Sequence, residues 1–102
     1  MAIRAIRDSG GRGVKISDQE IIEAIPKLAR ETGVFVEPAA AATYAGFLRL
    51  CERGALESDQ RVILVLTGNG LKDIDSARKA IGEPLHVAPD IDVDELKRQI
   101  AV

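Results

Sequence analysis

Apolar positions along the chain fall into alternating short runs and helical stretches. Ile3 and Ile6, three apart, mark residues 2 to 8 as the end of a helix, broken by Ser9-Gly10-Gly11-Arg12-Gly13. Val14-Lys15-Ile16 reads as a short strand. Ser17 with Glu20 three residues on is a capping box, and beyond it Ile21, Ile25 and Leu28 share one helix face. Pro26 removes a backbone donor inside this helix and is expected to kink or split it, at a cost of about 3 kcal/mol in a regular site. Gly33 supplies the stop. Val34-Phe35-Val36 is a second short strand, and Glu37-Pro38 opens a helix with proline in its first turn. Ala39 to Ala42 present almost no side-chain bulk, so this helix can approach another element closely. Tyr44, Phe47, Leu48, Leu50 and Cys51 continue its apolar face to Gly54.

Residues 62 to 66, Val-Ile-Leu-Val-Leu, are continuously apolar and rich in β-branched residues. Such a run suits a strand buried on both faces of a parallel sheet. Asp73 or Asp75 caps a helix through Ala80, closed by Gly82. Residues 84 to 90 read as extended. Asp92 with Glu95 starts a last amphipathic helix carrying Val93, Leu96 and Ile100. The order β, α, β, α, β, α and a final helix predicts an α/β fold with a short, mostly parallel sheet. The chain reads as one domain over residues 1–102, with 83–102 as a tail and helix. Three short strands leave a narrow sheet with unprotected edges, a first sign that the chain belongs to something larger.

Composition narrows the function classes. With 102 residues, 46% hydrophobic and 29% charged, the chain is one small domain and not a disordered tail. Aromatic residues are 3% and the formal net charge is −2, which argues against a nucleic-acid partner. One cysteine and one histidine exclude a disulfide framework and a Cys/His zinc site, so no metal is expected. No signal peptide or membrane span is legible, so no membrane partner is expected and the simplest location is the cytoplasm. Cys51 reads as a buried structural thiol, His86 as a tail residue, and the acids from Asp90 to Glu95 as a solvated helix start.

Candidate chemistry lies at Thr67-Gly68-Asn69-Gly70, beyond the carboxyl end of the best strand, where open α/β sheets place ligands. Gly68 and Gly70 admit close backbone approach to a ligand, and Thr67 offers a hydroxyl. Plain turn chemistry produces the same spacing.

Glu37-Pro38-Ala39-Ala40-Ala41-Ala42 and Leu66-Thr67-Gly68-Asn69-Gly70-Leu71-Lys72-Asp73 together resemble the carboxy-terminal region of the threonine synthase family. Arg4-Ala5-Ile6-Arg7-Asp8-Ser9-Gly10-Gly11, Ser17-Asp18-Gln19-Glu20-Ile21 and Gly33-Val34-Phe35-Val36 extend the resemblance in collinear order, from about residue 4 to residue 80. The family uses pyridoxal phosphate on the tryptophan synthase β-like fold and converts O-phosphohomoserine and water to threonine and phosphate. The resemblance implies that Thr67 faces the pyridine nitrogen of the cofactor. It also implies that Gly68, Asn69 and Gly70 shape the wall beside the ring, and that the Ala-rich helix packs near the cofactor-bearing sheet. Glu37 reads as a helix-start residue before a site residue.

The family's cofactor-anchoring lysine and its phosphate-cradling glycine loop lie in the amino-terminal part of the enzyme. None of Lys15, Lys27, Lys72, Lys79 and Lys97 stands in that context. The chain is therefore expected to contribute no catalytic residue and to hold no cofactor covalently, with pyridoxal phosphate belonging to the complete parent enzyme. Its expected partner is the missing amino-terminal part, or other copies of itself as a dimer or larger. A portion of a threonine or serine dehydratase-like enzyme, and a non-enzymatic α/β module that oligomerises or binds a ligand, are the other readings.

Overall fold

The computed structural model describes residues 1–100. Among them are helices α1 (Ala2–Asp8), α2 (Asp18–Thr32), α3 (Pro38–Glu52), α4 (Ile74–Ile81) and α5 (Val93–Ile100), with a 3-10 turn at Gly70–Lys72.

Local sequence explains each helix boundary. At the end of α1, Gly10 takes φ +68°, its N–H donates to the Arg7 carbonyl, and the Gly11 N–H donates to the Ile6 carbonyl. This paired closure requires a left-handed residue where glycine stands. The capping box forms at α2: the Glu20 N–H donates to Ser17 Oγ at 3.3 Å, and the Ser17 N–H donates to Glu20 Oε2 at 2.7 Å. Pro26 does not split α2, which runs unbroken to Thr32. Burial of Ala24, Ile25 and Leu28 around the proline offsets the missing ladder bond. Asp73 caps α4 by accepting the Ser76 N–H at 3.0 Å and the Ser76 hydroxyl at 2.8 Å. Asp92 caps the start of α5, accepting the Asp94 N–H at 3.0 Å.

The core is the α2–α3 pair. Ala24, Ile25 and Leu28 of α2 meet Ala40, Ala41, Tyr44 and Ala45 of α3, with Val36 beneath them. The alanines of α3 let the two helices approach closely, so this small-residue face meets α2 and not a sheet. The Tyr44 hydroxyl donates to the Glu31 carboxylate, and the Arg49 guanidinium pairs with Glu20. These contacts tie the two helices together at separate points. α4 also packs against α2, with Ala80 on the same core.

The predicted sheet does not form among the described residues. Residues 14–16, 34–36 and 62–66 make no strand. One antiparallel bridge joins Val36 to Asn69, with the Glu37 N–H donating to the Gly68 carbonyl at 3.0 Å and the Gly70 N–H donating to the Phe35 carbonyl at 3.2 Å. The pairing is antiparallel where a parallel sheet was expected. A strand needs a neighbour to take its backbone groups. Helices α2 and α3 satisfy their own, and residues 61–67 make no backbone–backbone hydrogen bond among the described residues.

Burial nevertheless alternates along this run. Leu64 and Leu66 lean on the core, whereas Ile63 is 80% and Val65 67% exposed. The run expected to be buried on both faces is thus covered on one.

The molecule is elongated, 62 × 30 × 20 Å, with a radius of gyration of 18.3 Å. A self-contained domain of this length has roughly 13 Å. Its surface is 8337 Å² for 11.0 kDa, against roughly 5,600 Å² for a typical folded monomer of that mass. The excess, roughly 2,700 Å², includes α1 and α5, which bury no residue. No helix among the described residues is long and apolar enough to cross a membrane.

Candidate functional site

Residues 67–72 lie against the segment 35–37 that leads into α3. The two backbone bonds of the Val36–Asn69 bridge hold the loop there. The period-two alternation that begins at Ile63 continues through the loop, so Thr67 and Asn69 are exposed while Gly68 and Gly70 are buried.

Both glycines face the protein. A Cβ on Gly68 would fall 1.8 Å from Glu37 Oε1 and 1.9 Å from its Cδ. One on Gly70 would fall 2.4 Å from two atoms of the Phe35 ring. The sequence reading assigned these glycines to close approach of a ligand; the atoms that approach them are Glu37 and Phe35 of the same chain. Asn69 is also engaged locally, its Oδ1 accepting the Leu71 N–H at 2.9 Å to start the 3-10 turn. Thr67 differs from its neighbours. Its side chain faces outward and makes no hydrogen bond among the described residues. Its hydroxyl can donate to an acceptor brought against this face.

Glu37 occupies the N-cap position of α3, as expected of a helix-start residue, but its side chain accepts no cap hydrogen bond. Its carboxylate pairs with Lys72 Nζ at 3.4 Å instead. Phe35 and Lys72 are the two loop partners that sequence reasoning missed. The available signal was the joint occurrence of an aromatic residue two before Glu37 and of a lysine four after Gly68.

Elsewhere, charge is arranged for structure. Hydrogen bonds from the Ser17 hydroxyl and the Ser17 backbone N–H, then from Arg49, bring Glu20 down to about 2. The bond to the Glu31 carboxylate, with burial, pushes Tyr44 up to about 12. Asp73 lies below the usual carboxylate range because the Ser76 N–H and hydroxyl donate to it.

Cys51 is exposed, which corrects the buried-thiol reading. It lies in the last turn of α3, exposed, although Leu48 on the same helix packs on the core and Arg49 reaches Glu20 of α2. His86 is exposed on the tail as expected. No group of three His, Cys, Asp or Glu side chains able to hold a metal exists among the described residues.

Residues 1–68 match the family described as pyridoxal-phosphate dependent enzyme. Among curated relatives, the threonine synthase of Methanocaldococcus jannaschii is 45% identical over 97 residues, covering 95% of this chain and 24% of the relative. The threonine synthase of Methanosarcina acetivorans is 41% identical over 91 residues, 89% of this chain and 22% of the relative. That of Mycobacterium tuberculosis H37Rv is 42% identical over 97 residues, 93% of this chain and 27% of the relative. The chain thus spans about a quarter of the length of the relatives it matches.

Proposed function

Because the chain belongs to the pyridoxal-phosphate dependent enzyme family, we propose that it is the carboxy-terminal portion of a cytoplasmic threonine synthase-like enzyme. The parent enzyme converts O-phosphohomoserine and water to threonine and phosphate. The observation that carries this reading is the unengaged, outward hydroxyl of Thr67 at the tip of an apolar run, between a buried core and an open face. That hydroxyl suits the pyridine nitrogen of pyridoxal phosphate, whose ring withdraws electrons from a bound amino acid. As a neutral donor, Thr67 orients the ring without enforcing a charged pyridine, as a carboxylate would. Gly68 and Gly70, drawn inward, determine where Thr67 stands. Lys72 is tied to Glu37 and fits no covalent role. The cofactor-anchoring lysine and phosphate cradle come from the rest of the enzyme.

The missing part covers Ile63, Val65 and the open backbone groups of residues 61–67. An isolated chain is then expected to self-associate through the same exposed surface, as a dimer or larger. Sedimentation as a stable monomer at high concentration would count against that.

The test is a chimera: the Methanocaldococcus jannaschii threonine synthase with its matched segment replaced by this chain. It should bind pyridoxal phosphate and release phosphate from O-phosphohomoserine. Thr67→Ser should retain activity, and Thr67→Ala should lower it roughly three- to tenfold, the value of one hydrogen bond. A cofactor-loaded chimera that deaminates threonine or serine without releasing phosphate would assign the chain to a dehydratase-like enzyme. A folded chimera that takes up no cofactor would leave a non-enzymatic module.

A further inference from the structure

We propose that Glu37 is a positioning residue, which sets the stance of Thr67 by lying across Gly68 and anchoring its carboxylate to Lys72, just beyond the loop.

Three observations converge on it. A glutamate at a helix N-cap normally has free amides to accept from, yet Glu37 takes none of them. Its side chain instead fills the place a Gly68 Cβ would occupy, with Oε1, Cδ and Cγ all within 2.4 Å of that position. Its carboxylate then reaches Lys72, which follows the 67–70 loop directly through Leu71. The backbone of the same residue donates to the Gly68 carbonyl at 3.0 Å. Glu37 therefore holds Gly68 by its main chain and by its side chain, and the Gly68 peptide sets the direction of the preceding Thr67. The Glu37 side chain is only 20% exposed, against 67% for Lys72, so solvent screens this pair less than an open surface pair.

The clasp is a property of this chain alone. Its consequence for the cofactor rests on the Thr67 reading above, and two arms keep the failures apart. In the first, the ¹⁵N-labelled chain is compared with Glu37→Gln, Lys72→Gln and the double variant, which are nearly isosteric or exposed and leave the core untouched. Both single variants should move the amide resonances of Thr67, Gly68, Asn69 and Gly70 in the same pattern, and the double variant should move them no further. Glu37→Gln moving the loop while Lys72→Gln leaves it unchanged would overturn the clasp, as would additive shifts in the double variant. In the second arm, Glu37→Gln in the chimera should lower kcat roughly two- to fivefold with KM unchanged, the scale of a partly exposed ion pair. An unchanged kcat in a cofactor-loaded chimera would overturn the positioning role. Failure of the chimera to bind pyridoxal phosphate, with the first arm intact, would overturn the cofactor reading instead.

Discussion

Gly70→Ala separates packing from ligand approach as the reason for glycine in the loop. A Cβ there would lie 2.4 Å, 2.4 Å and 2.5 Å from three atoms of the Phe35 ring, where carbon atoms settle at about 3.5 to 4.0 Å. The ring must withdraw by roughly 1 Å or more. Phe35 packs against the core, so its retreat disturbs Val36 and the start of α3. Overpacking of this kind costs about 1–3 kcal/mol. Losing unfolded-state freedom at a glycine whose φ is not positive returns about 0.4–1 kcal/mol. The net destabilisation is then about 1–2 kcal/mol.

Urea unfolding followed by far-ultraviolet circular dichroism measures it. Gly46→Ala in α3 is the control: nothing lies within 4 Å of its Cβ position, so a gain of about 0.5–1 kcal/mol is expected. Phe35→Leu should recover part of the loss in Gly70→Ala as a favourable coupling in the double-mutant cycle. A Gly70→Ala variant as stable as the parent, or a cycle with no coupling, would refute the packing argument and return Gly70 to a ligand role.

Three further expectations follow from the same contacts. Glu20 sits near 2 in the folded chain against an ordinary 4.5, so it binds fewer protons folded than unfolded; its contribution is full above about pH 4.5 and is lost as pH falls towards 2. Ser17→Ala should raise the Glu20 carboxyl titration seen by NMR, and an unmoved titration would dismiss the Ser17 hydroxyl as the main cause. Tyr44, the sole tyrosine, should ionise near pH 12 by absorbance, with its stabilising effect full below pH 10 and lost between 10 and 12; Glu31→Gln should bring the transition back towards 10. Cys51 should react with a disulfide reagent in the native state without prior unfolding, and protection until unfolding would contradict its exposure.

Much of the site was legible along the chain because its signals are local. The Ser17–Glu20 spacing, the Asp73 cap and the stops at Gly33, Gly54 and Gly82 depend on neighbours within one helical turn, and each forms as read. The family signature was legible for a related reason: 66–73 and 37–42 are contiguous stretches whose order can be compared directly. Cys51 was misjudged because one-dimensional periodicity does not say which side of a helix meets a neighbour. The alanines allow the close approach read from the sequence, with Ala40 and Ala41 buried against α2, whereas Cys51 stays exposed on a helix whose Arg49 still reaches Glu20.

Sequence alone determined which segments would be helical, where they stop, and which hydroxyl stands at the end of the 62–66 run, since propensity, caps and alternation are properties of the chain itself. Tertiary structure decided what no local signal carries: that Gly68 and Gly70 open towards Glu37 and Phe35, that Lys72 is tethered across the loop, and that the apolar run remains without strand neighbours. A strand becomes part of a sheet only when another segment supplies its hydrogen bonds. Across the described residues that partner is absent, and Ile63 and Val65 face outward.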